Sequence, residues 1–319
     1  MSDTEHFVRD DVAGFLAMLE QLGRPGVEEL PLDEGRAGMR AMGTIAEAEP
    51  RELAVIRDLT CPGPDGDIPL RFYDTKETRE PGPVVLFLHG GGFVIGDLEV
   101  YHSLCTEISA VLDLPVISVD YRLAPEHPFP AAPDDCEAAA RWVASSPKEL
   151  GRDVTGLIVT GDSAGGNLTI VTTNALGADK ADVPVVLQAP IYPVAGDVAE
   201  TQSFQDFAEG FLLTGAAMSW FTQQYRGDPL SHRVNPMIEE AKDIPPTVVI
   251  TAGLDPLRDS GREYAQHLIA RGVDTTYLEA PGSIHGFATL RKAIPSAQGD
   301  IHALLDAMKL MLRRHGHIA

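Results

Sequence analysis

Cysteine is scarce in this chain: Cys61, Cys105 and Cys136 are the only three in 319 residues. The number is odd and no pair has metal-ligand spacing, so neither a disulfide framework nor a zinc site is expected and no metal is assigned. Free, mostly buried thiols fit a reducing compartment. Long apolar runs are missing as well, since none approaches the roughly eighteen residues that a spanning helix needs, and this argues against membrane insertion. The first residues, Met1-Ser2-Asp3-Thr4-Glu5, have neither a basic region nor an apolar stretch and do not read as a signal peptide. Together these features predict a cytoplasmic protein. Basic charge is also in deficit, with 25 Lys and Arg against 47 Asp and Glu and a formal net charge of −22. A field of that sign repels nucleic acid and anionic membranes, so neither is an expected partner. There is no internal repeat and no low-complexity segment.

What is present is a set of short β-rich runs separated by helical patterns. Residues 53–57 and 68–73 flank the turn-rich Cys61-Pro62-Gly63-Pro64-Asp65-Gly66, which predicts an antiparallel pair. Further strands are expected at 84–88, 115–119, 157–160, 183–188, 247–251 and 275–278. Alternation with helices predicts an α/β fold, a mostly parallel sheet of about eight strands covered on both faces. A chain near 300 residues buries roughly 75% of its unfolded surface and needs no covalent staple.

The most informative stretch is Gly161-Asp162-Ser163-Ala164-Gly165, which follows the strand-like 157–160 and opens a helical run over 164–178. A serine at such a corner is held in a strained turn with its hydroxyl above the sheet. Small neighbours are needed because a β-carbon there would meet backbone. A second motif, His89-Gly90-Gly91-Gly92-Phe93, follows the apolar strand 84–88. Its side-chain-free backbone lets N–H groups approach a reacting carbonyl oxygen, where one donor is worth about 3 kcal/mol in the transition state. The expected donors are Gly91 and Gly92 with Ala164, the residue after the serine.

A serine becomes nucleophilic only when a histidine takes its proton and a carboxylate orients that histidine. Asp255 lies in the loop after strand 247–251, and His285 in the loop after strand 275–278. Parallel sheets gather ligands at the carboxyl ends of their strands, so these loops should converge on Ser163. Rival acids are Glu279, beside the histidine loop, and Asp259, better suited to the first turn of the next helix. His89 is read as an anchor of the glycine loop; His102, His127, His232 and His267 are read as surface or packing residues, and His315 and His317 as part of a terminal tail.

These motifs give the chain its resemblance to the hormone-sensitive-lipase-like group of α/β-hydrolases, the bacterial family IV carboxylesterases. The resemblance covers roughly residues 50–290 and includes Tyr121-Arg122-Leu123-Ala124-Pro125-Glu126, Asp255-Pro256-Leu257-Arg258-Asp259 and His285-Gly286-Phe287. It implies an α/β-hydrolase fold with a helical cap: a catalytic domain over 48–195 and 233–319, and a cap over 1–47 and 196–232. It implies the triad Ser163, Asp255 and His285, the oxyanion hole Gly91, Gly92 and Ala164, and a bracing pair between Arg122 and Glu126. Two departures are Asn235-Pro236, where serine-proline is expected, and Asp97, where a small residue is expected.

Near the N-terminus, Val8, Val12, Phe15, Leu16, Leu19 and Leu22 share one helical face, with Ser2 and Glu5 as a capping box. In the second cap segment, Met218, Phe221 and Tyr225 recur at helical intervals, and phenylalanines cluster. Phe93, Phe204, Phe207, Phe211 and Phe287 are the expected walls of an apolar acyl pocket. The expected activity is serine-dependent hydrolysis of small, short- to medium-chain carboxylic esters through an acyl-enzyme, without metal or organic cofactor. Activity should fall in acid, because imidazolium cannot act as base. An amidase or deacetylase on the same triad is the nearer alternative, and a non-catalytic small-molecule receptor the more distant one. Relatives often pair through an edge strand, so the resemblance leaves room for a homodimer that no residue here specifies.

Overall fold

Eight strands form one sheet in the computed structural model, which describes residues 6–23, 25–238 and 241–319. They are β1 (Val55–Gly63), β2 (Gly66–Asp74), β3 (Gly82–Leu88), β4 (Val116–Val119), β5 (Val154–Asp162), β6 (Val185–Ile191), β7 (Thr247–Leu254) and β8 (Thr275–Ile284). Their spatial order is β1-β2-β4-β3-β5-β6-β7-β8. β2 runs antiparallel to both of its neighbours, and every other pairing is parallel.

Parallel strands covered on both faces read as continuous apolar runs, and β3 shows why. Its Val85 and Phe87 join the cluster on one side of the sheet, while Val84, Leu86 and Leu88 join the cluster on the other. Successive side chains alternate in direction, so both faces must be apolar at once. The helices are α1 (Asp10–Leu22), α2 (Leu32–Ala46), α3 (His102–Leu112), α4 (Ala131–Ala144), α5 (Ala164–Ala178), α6 (Gln202–Phe207), α7 (Gly215–Tyr225), α8 (Arg258–Ala270) and α9 (Ala297–Arg314). α3 and α9 cover the first face, together with Val12 and Phe15 of α1. α4 and α5 cover the second, and α8 packs beside them against Val249 and Ile170. No described helix is long and apolar enough to cross a membrane.

Several boundaries differ from the sequence reading for physical reasons. β1 extends through Cys61-Pro62-Gly63, expected as turn, because it is an edge strand, where proline's missing donor can face outward. β5 runs on through Gly161 and Asp162, which pair with Pro190 and Ile191 of β6. The helix expected over 164–178 coincides with α5. Ser2 and Glu5, the expected capping box, lie outside the described residues; the first turn of α1 carries Asp10 and Asp11, whose charge suits a helix N-terminus.

The expected pair between Arg122 and Glu126 does not form. Arg122 instead donates to Asp135 of α4 at 2.9 and 2.8 Å and to Asp65 at 2.9 Å. Asp135 is buried and needs a cation, whereas Glu126 faces outward and takes both oxygens to Arg36 of α2, at 2.7 and 2.8 Å. The segment therefore braces α2 against the glycine loop, and Arg36 also donates to the Val94 carbonyl at 3.0 Å.

Candidate active site

Four loops at the carboxyl ends of β3, β5, β7 and β8 meet above the sheet. Ser163 stands between β5 and α5 with φ 55° and ψ −115°. That conformation is costly for a non-glycine residue, of order 1–3 kcal/mol, so the surroundings must impose it. Ser163 N–H donates to the Ile191 carbonyl at 2.9 Å, and its own carbonyl accepts from Asn167 N–H at 3.0 Å. A β-carbon at Gly161 or Gly165 would run into the Leu88 carbonyl oxygen, which is why small residues flank the serine.

His285 Nε2 lies 2.8 Å from Ser163 Oγ, and its Nδ1 lies 2.7 Å from Asp255 Oδ2. Asp255 is fully buried, and its other oxygen accepts from Leu257 N–H at 2.8 Å. The carboxylate is thus held on both sides and can orient the imidazole with Nδ1 as donor. Of the rival acids, Glu279 sits on β8 and pairs with Arg262 at 2.7 Å. Asp259 occupies the first turn of α8 and accepts from Ser203 N–H at 2.9 Å.

Ala164 opens α5, so its N–H is among the helix donors that lack an intrahelical partner. Gly91 and Gly92 have φ 109° and 60°. A side chain at Gly91 would meet the Ile95 carbonyl, and one at Gly92 would meet the Phe221 ring. His89 anchors this loop: it stacks on Tyr121 with ring centroids 4.2 Å apart, and its Nδ1 lies 2.8 Å from the Gly90 carbonyl. Burial pushes its imidazole down to about 4, which keeps it neutral. Asp97, an unexpected residue at its position, accepts from Glu99 and Val100 N–H at 3.0 and 2.9 Å and pairs with Arg40 of α2.

The serine and histidine open into a cavity of about 1500 Å³. Of the five phenylalanines expected to line it, only Phe93 does. Phe207 and Phe287 are fully buried in the core instead, in edge contact with Phe211 and Tyr192 respectively. Phe211 packs on that same cluster, and Phe204 packs over Gly215. The sequence showed a phenylalanine cluster but not which rings the core would claim. The walls come from Leu16 of α1, Met39 and Met42 of α2, Leu212, and Met218 and Phe221 of α7. The helical spacing of Met218, Phe221 and Tyr225 was the usable signal, since all three face the cavity.

A family model described as alpha/beta hydrolase fold matches residues 85–289. The chain belongs to the α/β-hydrolases. It is 39% identical over 305 residues to the carboxylic ester hydrolase LipN of Mycobacterium tuberculosis, covering 91% of this chain and 80% of that protein. It is 33% identical over 311 residues to an ethyl acetate hydrolase of Pseudomonas putida, covering 94% and 98%. Among solved structures, an ester hydrolase from the Lake Arreo metagenome, complexed with a bipyridine phosphonate derivative, superposes with a TM-score of 0.90 at 36% identity, covering 95% and 99%. The hyperthermophilic esterase of Pyrobaculum calidifontis gives 0.88 at 32% identity, covering 95% and 98%. This α/β-hydrolase therefore falls, as its motifs imply, in the hormone-sensitive-lipase-like group.

Proposed function

We propose that this α/β-hydrolase is a serine carboxylesterase acting on small carboxylic esters. The observation that carries the reading is the unbroken chain of contacts from Ser163 through His285 to Asp255, opening into an apolar cavity. His285 Nε2 takes the Ser163 proton as Oγ attacks the ester carbonyl. The N–H groups of Gly91, Gly92 and Ala164 hold the oxyanion. Collapse breaks the bond to the alkoxide, which leaves with the proton from His285. Water, deprotonated by the same imidazole, then releases the acid and restores Ser163.

Residues of both 1–47 and 196–232 border the cavity, which supports reading these segments as a cap over a catalytic domain of 48–195 and 233–319. A covered site favours dispersed esters with short to medium acyl chains over long-chain fat at an interface. Three buried free cysteines support a cytoplasmic setting. The sheet has edge strands at β1 and β8 where a homodimer would pair, and sedimentation velocity reports whether one forms.

The test is hydrolysis of p-nitrophenyl esters from acetate to palmitate by wild type and Ser163→Ala. Turnover should peak at short chains and fall about 10⁵- to 10⁶-fold in the folded variant. Equal turnover in the variant, or preference for emulsified long-chain fat, overturns the reading.

A further inference from the structure

Asp162, the residue before the nucleophile, is a buried carboxylate that the catalytic steps above do not use, 3% exposed. Its Oδ1 accepts from Gly90 N–H at 2.7 Å. Its Oδ2 accepts from the hydroxyls of Tyr101 and Tyr192 at 3.1 and 3.4 Å. All three donate to it, an arrangement that satisfies an ionised carboxylate, whereas the acid form requires a tyrosine hydroxyl to turn from donor to acceptor. Gly90 directly precedes the two glycines assigned to the oxyanion, and a β-carbon at Gly90 would collide with the Asp162 carboxylate. The glycine loop and the nucleophile corner follow neighbouring strands, β3 and β5, whose pairing runs to Leu88 and Gly161, and beyond that pairing this side chain links the two halves of the reaction centre.

We infer that Asp162 is a positioning residue: through Gly90 it fixes the glycine loop against the serine corner, so that Gly91 and Gly92 aim at the oxyanion only while its carboxylate is ionised. This rests on the reading of those glycines as oxyanion donors. Burial pushes the Asp162 carboxyl up to about 6, against the pull of its hydrogen bonds from Gly90, Tyr101 and Tyr192 and of the charge on His285. Tyr121, after β4, and Cys105 of α3 also lie within reach of its charge. Protonation in mild acid sets a proton against two hydroxyls that donate to the same oxygen, so a tyrosine must turn to accept it, and the charge-assisted bond that anchors the loop through Gly90 weakens to one with a neutral acid.

The experiment compares wild type with Asp162→Asn, which keeps the shape and removes the charge, in p-nitrophenyl butyrate hydrolysis across pH and in inhibition by butylboronic acid. The boronate forms a tetrahedral adduct on Ser163 whose oxygen occupies the oxyanion position. In Asp162→Asn, kcat should fall roughly 10- to 100-fold and boronate affinity should fall with it, because the loss is in the transition state. KM should stay within about threefold. The acid limb of the wild-type profile should contain a protonation near pH 6 that the variant lacks. A variant with kcat and boronate affinity within about twofold of wild type overturns the inference. If Asp162→Asn does not fold, Tyr101→Phe decides: losing one donor must move the acid limb to higher pH, and an unmoved limb overturns the inference. Wild type with no serine-dependent turnover and no boronate binding removes the esterase reading itself, whereas an active wild type matched by its variant removes only the role of Asp162.

Discussion

Phe221 shows how one residue can set substrate range. Its ring lies against the Gly92 backbone and forms part of the cavity wall, so it limits the space beside the serine. Phe221→Ala should shift the acyl optimum towards longer chains, read from kcat/KM across the p-nitrophenyl ester series. The accompanying stability loss should stay below about 3 kcal/mol, since the ring is only half-buried; an unchanged optimum would remove Phe221 from the specificity wall. The residue scale is also where reading the sequence reached furthest and then stopped. Gly161 and Gly165 announce a crowded corner because glycine is the residue such crowding requires, and the Leu88 carbonyl is what crowds them. Phe207 and Phe287 resemble pocket residues in composition, yet they are packed into the core, and no local pattern separates a ring that fills a core from one that faces a ligand.

At the scale of elements, ionic networks tie helices distant in sequence. Glu107 of α3 is held by Arg51 at 2.6 Å and by Gln298 and His302 of α9 at 2.9 and 2.8 Å. Burial opposes ionisation there, but Arg51, His302 and Arg291 outweigh it and bring the carboxyl down to about 2. A folded value below the unfolded one means that the unfolded chain binds more protons in acid. The stabilisation is therefore complete above about pH 4.5 and is lost as pH falls towards 2. Urea midpoints measured between those limits should decline with falling pH, and Glu107→Gln should flatten the decline; an equally steep slope in the variant would place the acid sensitivity elsewhere. Strand alternation at β3 could be read from apolar runs, whereas the reach of β8 through Pro281 and Gly282 could not, because those residues signal a turn and the strand is carried past them only by a break in the β7–β8 register, from Ala252 with Ala280 to Leu254 with Ile284.

Over the whole molecule, the net charge of −22 acts on substrates before any contact is made. Glu20, Glu28 and Glu34 border the cavity and bring part of that negative charge to its walls. Esters bearing a free carboxylate should show lower kcat/KM than neutral esters of the same shape, and the gap should narrow as salt shortens the screening length from about 30 Å at 0.01 M to about 8 Å at 0.15 M. Stopped-flow or steady-state rates at both salt concentrations check this, and a salt-independent ratio would assign the preference to contacts inside the cavity.

The α/β-hydrolase fold itself was legible in the chain because apolar period, glycine placement and strand-to-helix order are local properties, each enforced by sterics or burial within a few residues. The serine, aspartate and histidine could be named for the same reason: each follows a β-rich run. Their approach to within 2.8 and 2.7 Å is a product of tertiary structure, since residues 122 and 30 positions apart meet only when β5, β6, β7 and β8 line up in one sheet. The partner of Arg122, the carboxylate bridge at Asp162 and the identity of the cavity walls were likewise decided there. Charge pairing and packing depend on which surfaces the closed sheet brings together, and no spacing along the chain encodes that distance.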